Sequence, residues 1–155
     1  MPNIIKLLIS IIICQLAGLS GSFFTRNSFG WYLELNKPSY RPPDWLFAPV
    51  WITLYLLMGI SAYLIWKKGP EHSEVRYALA LFIFQLILNA LWSVVFFGGQ
   101  SVGGGLVVII ILWVLILMTI FSFYRISSLA GTIMLPYIIW VSFAALLNFT
   151  IWKLN

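Results

Sequence analysis

Charged residues cut this chain into long apolar runs. Nineteen uncharged residues separate Lys6 from Arg26, 22 separate Asp44 from Lys67, 48 separate Arg76 from Arg125, and 27 separate Arg125 from Lys153. The longest run is interrupted by GGQSVGGG at Gly98–Gly105, and the last opens on SSLAG. A helix needs about 20 apolar residues to cross the hydrocarbon of a bilayer. The pattern therefore predicts five transmembrane helices, near 4–24, 45–66, 77–97, 104–124 and 132–152. The fold class is an all-α membrane protein, one domain over residues 1–155, with a long structured first loop at 25–44.

That loop is unlike the short connections elsewhere. The stretch WYLELNKPSYRPPDWLFAPVW, Trp31–Trp51, holds Pro38, Pro42, Pro43 and Pro49 together with Trp31, Trp45 and Trp51. Prolines stiffen the backbone and push the residues before them towards extended conformations. Trp31, Tyr32, Tyr40 and Trp45 give the loop an apolar body. Two readings fit: a lid docked on the bundle, or an interfacial belt of rings at headgroup level.

Composition strengthens the membrane assignment. Of 155 residues, 62% are hydrophobic and 8% charged, against about 25% charged in soluble domains. The formal charge of +5 is carried by scattered cations, with no basic stripe of the kind that binds nucleic acid. It suits anionic headgroups or an acidic ligand. Lys6, Lys67, Lys68, Arg76 and Arg125 fall on one side of the bundle and Arg26, Lys37, Arg41 and Lys153 on the other. That division is too even to orient the chain in the membrane. The first span is long for a signal peptide, and Gln15, Gly18 and Ser22 share a face as a packed helix requires. Cys14 lies in an apolar run and reads as a small buried hydrophobe. His72, beside Glu71 and Glu74, reads as part of a solvated loop, since a metal site needs about three or four converging ligands.

No ionisable residue falls near the middle of a span, which argues against ion-coupled pumping and proton relays. There is no Ser/His/Asp set, and GGQSVGGG lacks the lysine of a phosphate loop. Polar and aromatic residues nevertheless fall in helical register: Trp51, Tyr55, Met58 and Ala62 in the second span, Gln85, Asn89 and Trp92 in the third, and Tyr137, Trp140, Ala144 and Asn148 in the fifth. Interhelical packing accounts for the amides and small residues. Three Trp-bearing faces would hold helices apart, and facing inward they would line a pocket for a flat apolar ligand.

The segments WYLELNKPSYRPPDWLFAPVWITLYLLMG at 31–59, LNALWSVVFFG at 88–98 and LPYIIWVSFAALLNFTIWK at 135–153 resemble the TspO/MBR family, also called translocator proteins or tryptophan-rich sensory proteins. The resemblance spans nearly the whole chain. It implies a five-helix bundle whose first loop closes over a pocket, and a receptor- or sensor-like protein that binds protoporphyrin IX, related tetrapyrroles and drug-like aromatic ligands. It assigns the pocket to Tyr32, Pro42, Trp51, Asn89, Trp92, Trp140, Ala144 and Leu147. Two alternatives come with it: light- and oxygen-dependent degradation of protoporphyrin, in which Trp51 and Trp140 would be the catalytic residues, and tetrapyrrole transport. No fixed cofactor and no metal are implied, the porphyrin being ligand or substrate. Lys37 or Arg41 would meet a porphyrin carboxylate, or else serve as interfacial anchors.

Three positions depart from the family pattern. Tyr40 stands where many members have Trp. Gly104 replaces a Trp at the start of the fourth span, which would leave the pocket wall more open there. Phe149-Thr150 replaces the tyrosines of a proposed cholesterol motif. The reversed motif matches around Arg26, Arg41 and Arg76, and three matches in so short a chain show how weakly it discriminates. Cholesterol is thus not an expected partner. A homodimer is expected, with Ala78, Ala80, Gly99 and Gly103 as small contact residues.

Overall fold

The computed structural model describes residues 1–155 and contains seven α-helices and no strands. Five segments are long and apolar enough to cross a membrane. Helix α1 (Asn3–Asn27) is the first, and the short α2 (Phe29–Glu34) follows it inside the first loop. Helix α3 (Asp44–Trp66) is the second span. The third is α4 (Ser73–Ser93), continued by a π-helical turn at Val94–Gly98. The fourth is α5 (Val102–Ile126), and the fifth combines α6 (Ser128–Ile133) with α7 (Leu135–Leu154).

Two boundaries differ from the sequence expectation. The first loop does not begin at 25: α1 continues to Asn27, and Phe29–Glu34 forms another helical turn and a half. No proline precedes Pro38 there, so nothing forbids helix until Leu35, where the backbone becomes extended. The SSLAG segment is likewise helical. Ser127 Oγ accepts the Ala130 N–H and caps α6. Pro136, in the first turn of α7, has no N–H to continue the ladder from α6, and the span breaks at Met134.

Because lipid and core are both apolar, neither face of a span needs to be polar. Helix α1 shows this: Ile4, Leu8, Ile12, Leu16, Leu19 and Phe23 form an exposed stripe, while Ser10, Cys14 and Gly21 are buried opposite. Its packing on α3 is close enough to require glycine. A Cβ at Gly59 would lie 2.7 Å from Ile11 Cα, and one at Gly18 would lie 2.6 Å from the Tyr55 ring.

The core proper fills the half of the bundle away from the first loop. Met58, Ile65, Ala78, Ile116, Phe123, Met134 and Tyr137 are fully buried there. Ser61 Oγ donates to the Ala130 carbonyl at 2.7 Å and ties α3 to α6. Tyr55 Oη donates to Asn89 Oδ1, Asn89 Nδ2 donates to Tyr137 Oη at 2.8 Å, and Tyr137 Oη donates to Gln85 Oε1 at 2.7 Å. This chain joins α3, α4 and α7. Such bonds contribute about 0.6 kcal/mol each on average in membrane bundles. Ala78 is fully buried in this core and Gly103 lies against Trp152, so of the four small residues considered for a dimer contact only Ala80 and Gly99 are exposed.

Candidate ligand-binding site

In the half of the bundle nearer the first loop the same helices separate. Helices α3 and α7 do not pack backbone to backbone, and rings occupy the space between them. Trp51 stacks on Tyr55 with centroids 5.5 Å apart and meets Tyr137 edge-on at 6.4 Å. Phe47 meets Trp140 edge-on at 5.8 Å. The result is a cavity of about 450 Å³, bounded by α1, α3, α4, α5 and α7 and covered by α2.

Seven of the eight expected pocket residues line it: Tyr32, Trp51, Asn89, Trp92, Trp140, Ala144 and Leu147. Pro42 does not; it lies in the irregular segment before α3. Gly104 is not part of the wall either. It sits in the first turn of α5, where its N–H donates to Ser101 Oγ at 3.0 Å. Sequence reasoning missed the contribution of α1, through Gly18, Gly21, Ser22, Thr25 and Arg26, and of Phe96 and Phe97. The shared face of Gly18 and Ser22 was a signal for α1. Nothing in the sequence marks the π-helical turn that brings the consecutive Phe96 and Phe97 inward together.

The helical faces read from sequence change role along their length. Trp51 and Tyr55 line the cavity, while Met58 and Ala62 on the same face pack in the core; Asn89 and Trp92 line it, while Gln85 packs. Packing and pocket, which were alternatives in the sequence, occupy successive turns of one stripe.

The wall's amides are already engaged. Asn89 bonds Tyr55 and Tyr137, and Asn148 accepts from Trp92 Nε1 at 3.0 Å and donates to the Val102 carbonyl at 3.0 Å. These residues fix the rings. The Trp140 indole differs: its Nε1 is buried and has no hydrogen-bond partner. A buried donor left unpaired costs about 1–3 kcal/mol, and a ligand acceptor meets this covered atom only if the indole turns towards the cavity.

The loop is docked over the cavity. Tyr32 is buried, with its ring 5.6 Å from Phe97 and 6.4 Å from Phe96, and Trp31 meets Phe96 edge-on at 5.7 Å. Burial pushes the Tyr32 phenol above its ordinary range, against an opposing pull from the Arg41 guanidinium. Asn36 N–H donates to Asn155 Oδ1 at 3.1 Å, and Asn155 Nδ2 donates back to the Asn36 carbonyl at 2.9 Å, which clasps the loop to the end of α7. Trp45 instead points outward, 72% exposed, as an interfacial belt would, while Tyr40 lies against α7 with its hydroxyl paired to that of Thr150. The two sequence readings of the loop thus apply to different residues of it. Lys37 is occupied structurally, its Nζ donating to the carbonyls of Tyr32, Leu33 and Leu35 at 2.9, 3.2 and 2.9 Å. Arg41 pairs with Asp44 at 3.0 Å. Neither of these two cations is among the residues that line the cavity.

Residues 10–153 match the family model described as TspO/MBR family. The chain belongs to the TspO/MBR family. It is 45% identical over 154 residues to the tryptophan-rich protein TspO of Chlorobaculum tepidum, covering 99% of this chain and 98% of that one. It is 45% identical to the protein of the same name from Archaeoglobus fulgidus, with 99% of each chain covered. The translocator protein of Sus scrofa is 39% identical over 142 residues, covering 88% of this chain and 84% of that one. This TspO/MBR chain is accordingly an integral, multi-pass membrane protein, and its relatives support a sensor or receptor role at the level of the family.

Proposed function

We propose that the protein is a membrane receptor that takes up a flat, largely apolar aromatic ligand of the porphyrin class, such as protoporphyrin IX, in the cavity beneath its first loop. The observation that carries this reading is the cavity itself, about 450 Å³ beneath the docked loop and lined by the rings of Trp51, Trp92 and Trp140. A cavity of about 450 Å³ is within the range of small-molecule pockets, which run from about 300 to 1,000 Å³. Trp51 and Trp92 offer ring faces and Trp140 adds a donor, while Ala144 leaves room between them. The charged side chains all lie near the ends of the spans, which supports binding over ion-coupled transport.

Protoporphyrin titration of the detergent-solubilised protein, read by tryptophan quenching, tests the proposal. Trp140→Phe keeps a ring and removes the donor, and is expected to weaken binding by about threefold to tenfold, the range of one ordinary hydrogen bond. Trp113→Phe, whose indole bonds Ser142 outside the cavity, is expected to leave affinity unchanged. Equal affinity in parent and Trp140→Phe would remove the indole from the site.

The stacking of Trp51 on Tyr55 supports a second reading, in which illuminated porphyrin is degraded in the presence of oxygen. Product formation above that with an inert membrane protein, and lost in Trp51→Phe, is the expected result for this activity; yields equal to the inert control would dismiss it.

A further inference from the structure

The cavity's mouth is marked by two exposed charged residues in its lining, Arg26 and Asp44. Their situations differ. Asp44 is held by Arg41 at 3.0 Å, and the third nearby cation, Lys37, is spent on three backbone carbonyls. Arg26, in the last turn of α1, makes no ion pair and no side-chain hydrogen bond. It does complement the negative end of the helix dipole, but that interaction needs no place in a cavity wall and uses none of its five N–H donors.

The hydroxyls beside it do not compete. Thr25 Oγ1 donates to the Gly21 carbonyl and Ser22 Oγ to the Leu19 carbonyl, so neither presents a hydrogen to a ligand. With Asp44 neutralised, the mouth carries a net positive charge. Below it the amide oxygens of Asn89 and Asn148 already accept hydrogen bonds, and the Trp140 N–H does not donate one. The cation at the mouth is thus the one charged lining residue without an ion pair.

We infer that Arg26 forms an anion subsite at the cavity mouth, which makes the protein selective for aromatic ligands bearing a carboxylate at one edge over their uncharged counterparts. This rests on the porphyrin-class reading above and specifies its ligand: the ring system enters the Trp51, Trp92 and Trp140 wall while an acidic arm stays at the mouth. A planar guanidinium matches a carboxylate with two parallel N–H donors. The residue sits where water still reaches, so the preference is modest and sensitive to salt.

The test compares protoporphyrin IX with its dimethyl ester, each titrated in neutral detergent against the intact protein. The parent is expected to favour the acid by about twofold to fivefold. Arg26→Gln is expected to abolish that preference while the ester binds as to the parent, which also reports an intact fold; Arg26→Lys is expected to restore part of it. An acid preference that survives in Arg26→Gln overturns the subsite. A lipid phosphate is the other source of anionic oxygen at this depth. If phosphatidylglycerol binds in an Arg26-dependent way while acid and ester bind the parent equally, Arg26 serves the headgroup and the inference is overturned. Failure of the underlying reading looks different: Trp51→Phe and Trp140→Phe would then leave both acid and ester unaffected, whatever Arg26 does.

Discussion

Single residues decide how near the helices come and how the loop is held. Gly59 faces the Ile11 backbone, so Gly59→Ala is expected to destabilise the α1–α3 contact by about 1–3 kcal/mol, the usual cost of overpacking. Gly30, with nothing within 4 Å of a built Cβ, is expected to accept alanine with little change. Thermal unfolding in one detergent compares the two. Tyr32 adds a pH dependence. Its phenol is raised by burial, so the docked loop favours the neutral form. The stabilisation is fully present below about pH 10, the ordinary tyrosine value, and is lost as pH rises through the higher docked value. Loop protection against hydrogen exchange, measured at fixed intrinsic exchange, is expected to hold to about that pH and then fall, and Tyr32→Phe is expected to abolish the fall. A parent and Tyr32→Phe that lose protection together would place the titrating group elsewhere. Trp51, Asn89, Trp92 and Trp140 were legible as cavity-lining residues because large or polar groups in a span need a reason. Arg26 was not, because a cation at a helix end has an ordinary explanation in the headgroups, and only its place in the cavity lining without an ion pair singles it out.

At the scale of elements, the five spans were legible because twenty apolar residues between charges leave few other structures. Helices α2 and α6 were not, since six residues are too few to show a helical period and their ends depend on Ser127, Leu35 and Pro136. The first loop gains its role from stiffness and attachment. Pro42 does not touch the cavity, yet Pro42 and Pro43 restrict the loop's open ensemble, and each change to Ala alters chain freedom by about 0.4–1 kcal/mol. The clasp between Asn36 and Asn155 and the Tyr40–Thr150 hydroxyl pair hold the closed form. The double Pro42→Ala, Pro43→Ala variant and Asn155→Ala are each expected to release ligand several-fold faster, with helical content unchanged, as read by stopped-flow fluorescence. Release at the parental rate in both would mean that the loop is not a cover.

For the whole molecule, the distribution of polar bonds explains why one bundle is solid at one end and hollow at the other. Ser61–Ala130 and the Tyr55–Asn89–Tyr137–Gln85 chain draw the helices together in the core half, and the rings of Phe47, Trp51 and Trp140 keep α3 and α7 apart beneath the loop. The sequence shows which face of each span matters. Where that face turns from packing to lining depends on the meeting heights of different helices, which no single helix's register contains. Association between copies belongs to this scale too. A homodimer packed through α4 would use Ala80, so a cysteine there is expected to crosslink in lipid, whereas Ala78 is fully buried in its own core. The most direct measurement is a structure determined with protoporphyrin IX bound. The macrocycle is expected between Trp51, Trp92 and Trp140, with an acceptor at Trp140 Nε1 and an acidic arm at Arg26. A porphyrin seated instead in the lipid-facing groove at Ile110, Trp113, Ser142 and Ala145, with the central cavity unoccupied, would contradict it.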